Sequence, residues 1–297
     1  IEYSGICHSD IHTVRGDWGD MPYPVVPGHD IIGRVLEVGS NVTSHKVGDL
    51  VGVGVIVNSC GECENCLDGD DHFCQGPGGP LLTFGEADPY TPGAFTQGGY
   101  SREIVTTEKF VYRIPENLDK AAAAPLLCAG ITVYSPLKHL KAGPGKKVAI
   151  LGMGGLGHLG VKFAAALGAE VTVLGHSLNK KDDALSFGAV DYRSTADKQT
   201  FVDLNKKFDF ILNTTSADIP VDGLLSLIKF DGALVFVGLP VASQSFNVFG
   251  LTGQRRSISG SQVGGQIEVQ EMLDFAAKHK IGAVNSINWA RVAAQIV

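Results

Sequence analysis

The stretch Val148-Ala149-Ile150-Leu151-Gly152-Met153-Gly154-Gly155-Leu156-Gly157 runs from an apolar segment into a glycine-rich turn. The four apolar residues predict a strand buried on both faces. Helical spacing follows over Gly157 to Leu167, with Leu159, Phe163 and Leu167 on one face. A G-x-G-x-x-G turn between strand and helix is tight. It also brings the free N–H groups of the helix start to a pyrophosphate. Gly152, Gly154, Gly155, Leu156 and Gly157 are therefore the candidate dinucleotide-binding residues. A plain glycine-rich turn is the competing reading of the motif taken alone.

Strand and helix patterns alternate on both sides of this turn. Asp119 to Leu140 reads as helix interrupted at Pro125 and Pro136, Glu170 to Leu174 as strand and Asn179 to Phe187 as helix. Phe208 to Asn213 reads as strand, Val221 to Lys229 as helix, Ala233 to Val237 as strand and Gln266 to Lys280 as a final helix. Such alternation predicts a doubly wound α/β fold, a parallel sheet with both faces covered. An NAD-binding unit is expected to end its second strand on an acid that holds the ribose hydroxyls. Here that strand ends in Gly175, His176, Ser177, and then Lys180 and Lys181 follow. A small residue, a hydroxyl and a cation suit a 2′-phosphate, so Gly175, Ser177 and Lys180 point to NADP. The competing reading makes the two lysines a solvated helix start.

Upstream, residues 25 to 57 hold β-branched runs punctuated by glycine, which predict a mostly β, barrel-like domain. Residues 76 to 99 read as loop, and Tyr100 to Ile114 returns to strand. Between them lies Cys60-x2-Cys63-x2-Cys66-x7-Cys74. Residues three apart can turn their thiolates to one point, and four thiolates make a closed structural zinc site. An iron–sulfur cluster is the rival for this spacing. Cys7, beside His8, Ser9 and Asp10, and His29, before Asp30, are further candidate ligands, each weak when taken singly.

The chain has 297 residues, enough for about two domains, and 44% of them are hydrophobic. Its net charge of −7 provides no basic surface for a phosphate backbone, so nucleic-acid binding is not expected. The longest apolar run, Ala121 to Leu137, is broken by Pro125, Gly130 and Pro136 and reads as a buried helix, so no membrane span is expected. No leader pattern is read in the opening residues, and a cytoplasmic location is the expectation.

Taken together, these motifs resemble the zinc-dependent medium-chain alcohol dehydrogenases. The most similar branch is the cinnamyl-alcohol-dehydrogenase-like, NADP-dependent aldehyde reductases. The carriers are Gly5 to His12, Val26 to Asp30, the four-cysteine lobe, Ala124 to Tyr134 and Gly152 to Gly160. The resemblance implies a GroES-like catalytic domain over residues 1–128 with its zinc lobe at 58–75. It implies a Rossmann domain over 129–265, and a return toward the catalytic domain over 266–297. It also implies a chain that extends further at both ends. Cys7, His29 and Cys128 would hold a catalytic zinc, with the longer Glu of the family replaced here by Asp30, a candidate further ligand. Cys60, Cys63, Cys66 and Cys74 would hold a second zinc. Ser9 and His12 would carry the substrate proton, Asp10 would orient His29, and Thr132 would meet the cofactor. The implied reaction interconverts primary alcohols and aromatic or medium-chain aldehydes with NADP(H), favouring reduction, in a homodimer. Alternatives are a polyol or amino-acid dehydrogenase of the same superfamily, or a non-catalytic zinc-binding interaction module.

Overall fold

The computed structural model describes residues 1–19, 21–240 and 242–284. The described residues fold as two units: 1–131 with 263–284, and 132–262.

In the first unit the β-branched runs form β1 (Tyr3–Ser4), β2 (Ile31–Arg34), β3 (Leu50–Val53), β4 (Ile56–Asn58), β5 (Leu81–Leu82) and β6 (Val111–Arg113). Four of them make an antiparallel sheet in the order β1-β2-β3-β6, and β4 pairs with β5. Ile31, Val53, Val57 and Leu81 pack together as its core. Gly52 in β3 allows a close approach: a Cβ there would lie 2.9 Å from side-chain carbons of Ile114 and Leu127. The helix Gln266–His279 belongs to this unit. Its Gln270 accepts from the Arg113 backbone N–H at 2.9 Å, and Asp274 pairs with the Arg113 guanidinium at 3.0 Å. Residues 285–297 of the expected 266–297 segment lie outside the described residues.

Tyr100 to Ile114 is not the continuous strand that its composition suggests. It runs as an irregular strap, then a short turn of helix at Glu108–Phe110, and pairs only at β6. The strap's first backbone groups bond sideways instead: Gly99 N–H to the Gly28 carbonyl at 2.8 Å and Tyr100 N–H to that of Pro27 at 2.9 Å.

The second unit holds β7 (Lys147–Leu151), β8 (Glu170–Gly175), β9 (Asp191–Ser194), β10 (Phe208–Asn213), β11 (Ile228–Phe236) and β12 (Ser257–Gly260). They form one parallel sheet in the order β12-β11-β10-β7-β8-β9. The order reverses at β7, which is the crevice where this fold takes dinucleotides. Val148, Ala149 and Ile150 are completely buried, as a strand covered on both faces must be. The helix Gly155–Ala166 buries Leu159 and Phe163 on the sheet side.

Some local expectations shift. The helix Ala129–His139 continues through Pro136. One intrahelical hydrogen bond is lost there, and the complete or near-complete burial of Val133, Tyr134 and Leu137 outweighs it. The helix from Val221 ends at Ser226, because its next residues enter the sheet as β11. Strand β9, with the sequence Asp-Tyr-Arg-Ser, carries no apolar run that marks it in advance.

Gly157 is fixed by space. A Cβ there would overlap the Gly152 carbonyl oxygen and lie 3.1 Å from Thr214 Oγ1. We expect Gly157→Ala to cost ~1–3 kcal/mol through overpacking. The check is thermal unfolding followed by circular dichroism, where Tm should fall by several degrees; an unchanged Tm contradicts the packing argument.

Candidate active site

The helix His8–Arg15 begins with Cys7 as N-cap and carries Asp10 in its first turn. That carboxylate reaches back to the Cys7 N–H at 2.9 Å, which satisfies one of the unpaired donors of the helix start. Its other oxygen accepts from the Gly28 N–H at 2.8 Å and from His29 Nδ1 at 2.9 Å. A fourth donor, the Tyr100 hydroxyl, lies 2.9 Å from Oδ2 and 3.0 Å from the Gly5 carbonyl oxygen. Asp10 and His29 are both buried. Burial alone would push the Asp10 carboxyl up, but the His29 contact and the other donors hold it below the ordinary carboxylate range.

An ionised carboxylate only accepts, so His29 Nδ1 carries the proton. In the neutral imidazole the lone pair then sits on Nε2. That atom is buried and has no hydrogen-bond partner among the described residues. The Sγ atoms of Cys7 and Cys128 and a ring nitrogen of His29 lie within 4.8 Å of one another. Between the two thiols, the Cys128 hydrogen bond lowers Cys7 to about 4, while Cys128 is pushed well up. One proton is thus easily lost from the pair; a dithiolate ligand set requires the second, on Cys128, to leave as well, which a bound cation would favour. An orphaned imidazole nitrogen beside two thiol sulfurs fits a three-ligand zinc centre with an open fourth position. Asp30 is also buried; among the described residues its Oδ1 has no hydrogen-bond partner, and it is not one of the three grouped ligands.

Ser9 Oγ lies 3.7 Å from Cys7 Sγ. His12 is one helical turn further on, and its Nδ1 bonds Asp17 at 2.8 Å. Neighbouring rings form a wall: His12 to Trp18 at 5.0 Å, Trp18 to Phe84 at 5.7 Å, and Phe84 edge-on to His29 at 5.0 Å. Phe84 and Tyr100 belong to the site although no local pattern marks them. Both come from segments more than fifty residues beyond His29 in the chain.

The four lobe sulfurs of Cys60, Cys63, Cys66 and Cys74 also lie within 4.8 Å of one another. Backbone N–H groups point at them: Cys60 N to Cys74 Sγ and Gln75 N to Cys63 Sγ at 3.4 Å, and Gly76 N to Cys74 Sγ at 3.3 Å. The Gln75 donor, with that of Cys66, lowers the Cys63 thiol to about 6. Gly76 leaves room that a Cβ would take, 2.9 Å from Cys60 Sγ. The buried Asp71 anchors the lobe, accepting from Ser59 Oγ at 3.0 Å and pairing with Lys109 at 2.6 Å.

In the second unit Gly152 is left-handed with φ +94°, and a Cβ on it would lie 2.6 Å from Thr215 Cγ2. Gly154 and Gly155 differ: among the described residues nothing lies within 4 Å of a Cβ added at either. Packing among the described residues does not demand those two glycines, and a pyrophosphate approaching the backbone would. Lys180 Nζ reaches the loop and donates to the Met153 carbonyl at 2.8 Å. Thr132 is buried, Leu156 half-buried and Ser177 exposed.

Residues 1–116 match the family model described as the alcohol dehydrogenase GroES-like domain, and residues 155–278 match that of zinc-binding dehydrogenase. The chain is 56% identical over 281 residues to the probable formaldehyde dehydrogenase AdhA of Bacillus subtilis, covering 95% of this chain and 79% of that one. The chain belongs to the zinc-binding alcohol dehydrogenase family. Within that family it is also similar to NADP-dependent alcohol dehydrogenase C 1 of Mycolicibacterium smegmatis, at 55% identity over 95% of this chain and 80% of the other. Among solved structures, a cinnamyl alcohol dehydrogenase of Sorghum bicolor superposes with a TM-score of 0.92 at 39% identity, over 98% of this chain and 83% of that one. Among the described residues no helix is long and apolar enough to cross a membrane.

Asp10 is the acceptor for His29, Gly28 and Cys7, so Asp10→Ala would strand two buried donors and one half-buried one. At ~1–3 kcal/mol each, we expect a loss of about 3 kcal/mol or more. Urea unfolding measures it, with Tyr100→Phe as the milder comparison; a loss below ~1 kcal/mol for Asp10→Ala is inconsistent with the shared carboxylate.

Proposed function

We propose that this dehydrogenase interconverts primary alcohols and aldehydes with NADP(H), with aldehyde reduction favoured. The single observation that carries the reading is the convergence of Cys7, His29 and Cys128 around an imidazole nitrogen with no hydrogen-bond partner among the described residues. Zinc on these three residues would polarise a carbonyl oxygen at its open position, and the reduced nicotinamide would supply the hydride.

The protein's own part is positional and protonic. Asp10 holds His29 in the tautomer that leaves Nε2 free to ligate. Ser9, next to Cys7, is placed to hydrogen-bond the substrate oxygen and give or take its proton. His12 would carry that proton onward, its ring held by Asp17. The wall of Trp18, Phe84 and His12 gives the substrate an aromatic and apolar neighbour, which supports aromatic or medium-chain aldehydes. Cys60, Cys63, Cys66 and Cys74 would hold the second zinc, closed and structural.

The nucleotide reading combines the strand–loop–helix at Gly152 to Gly157 with Thr132, Gly175, Ser177 and Lys180. The NADP dependence named for the mycolicibacterial relative supports it. The homodimer reading is supported by β12, which ends the sheet among the described strands, an edge of the kind that pairs with a second copy.

Elemental analysis of the purified protein should find two zinc ions per chain, and Cys128→Ser should lower this toward one while abolishing turnover. A single zinc in the parent, or iron with visible absorbance, sinks the assignment. Ser9→Ala should reduce kcat by roughly 10²–10⁴-fold with zinc content unchanged, the range for a lost acid–base group. Full activity of that variant at neutral pH, with chemistry rate-limiting, refutes the role of Ser9.

A further inference from the structure

We propose that Tyr192 sets the cofactor selectivity of the nucleotide unit, by filling the space that any side chain at residue 175 would need. The inference rests on the NADP reading above and supplies its physical cause.

Gly175 is the last residue of β8, where an NAD-binding unit places its acid. Its φ is not among the left-handed values, so the backbone itself would accept another residue. Space does not. A Cβ on Gly175 would overlap the Tyr192 hydroxyl and lie 2.7 Å from Cζ and 3.2 Å from Cε1 of the same ring. The ring has no easy retreat. Tyr192 is 3% exposed, sits in β9 opposite Val173, and its hydroxyl donates to the Ser177 carbonyl at 2.8 Å.

The same segment holds the rest of the turn. Thr195 N–H donates to the Gly175 carbonyl at 2.8 Å, and Ser194 Oγ to that of His176 at 2.8 Å. Three successive carbonyls are thus drawn back toward β9, while the Ser177 side chain stays exposed. A carboxylate at residue 175 would need both the displacement of a buried phenol and the loss of its hydrogen bond. Tyr192 therefore enforces glycine at residue 175, and glycine there neither repels a 2′-phosphate nor grips the ribose hydroxyls.

The test is a double-mutant cycle of the full chain: parent, Gly175→Asp, Tyr192→Val and the double variant, each titrated with NADH and NADPH by fluorescence and melted. We expect Gly175→Asp alone to lower Tm and leave NADH affinity within about threefold of the parent. The double variant should recover part of that Tm and bind NADH at least about tenfold more tightly than either single variant. Gly175→Asp alone gaining NADH affinity as fully as the double variant overturns the proposal, and so does a folded double variant that gains none. Should neither aspartate variant fold, Gly175→Ala decides. Its Tm loss must be present with Tyr192 and largely absent with Tyr192→Val, and an equal loss in both refutes the role of Tyr192. The parent reports separately on the underlying reading: NADH bound as tightly as NADPH removes the NADP assignment, whatever the coupling between residues 175 and 192.

Discussion

A buried carboxylate is costly unless every lone pair meets a donor, and Asp10 meets four. Its constraints radiate through the first unit. The Cys7 N–H it accepts begins the helix that carries Ser9 and His12. The Gly28 N–H sets the turn before His29, where φ is +107° and a Cβ would press on the Tyr100 backbone. Its bond to His29 settles which imidazole nitrogen faces Cys7 and Cys128. The Tyr100 hydroxyl closes the set and ties a strap more than seventy residues away to the same point. Thus one side chain joins a helix start, a turn, a metal-ligand candidate and a remote loop. The burial that makes it expensive to leave unsatisfied also makes the arrangement rigid.

The second unit shows two physically different uses of glycine around the proposed nucleotide site. Gly152, Gly157 and Gly175 are small because the protein fills the space around them. Gly154 and Gly155 are small although none of the described residues crowds a Cβ there, which suits the close approach of a ligand to their backbone. The first group shapes the loop and the second presents it. Lys180 connects the two, reaching from beyond β8 back to the Met153 carbonyl in the loop. A cation held there raises the local positive potential near the helix start, where phosphate is already favoured.

Much of this protein follows from local pattern. The Val148–Gly157 segment specifies strand, tight turn and helix because each requirement is met by adjacent residues. The Cys60-to-Cys74 spacing likewise brings four sulfurs together through short connections that leave little freedom. Cys7, His29 and Cys128 are a different case. Their spacing carries no metal signal, and only the resemblance to a known family suggested the triad; the fold then places them within 4.8 Å. Tertiary structure alone decided the rest. Tyr100 leaves strand geometry because its backbone N–H and hydroxyl find partners at Pro27 and Asp10, far off in sequence. Pro136 stays within a helix because burial of its neighbours outweighs one lost hydrogen bond. Strand β9 forms because the edge of β8 offers it a partner, and its polar sequence shows no alternation that would reveal it. Tyr192 could not be read as the neighbour of Gly175, since that contact exists only once β8 and β9 lie side by side. Local chemistry determined that the four-cysteine lobe could bind metal and that the glycine turn could take phosphate; long-range packing decided which distant side chains meet at the Cys7–His29–Cys128 cluster and which orient them, because hydrogen bonds and excluded volume act through space and not along the chain.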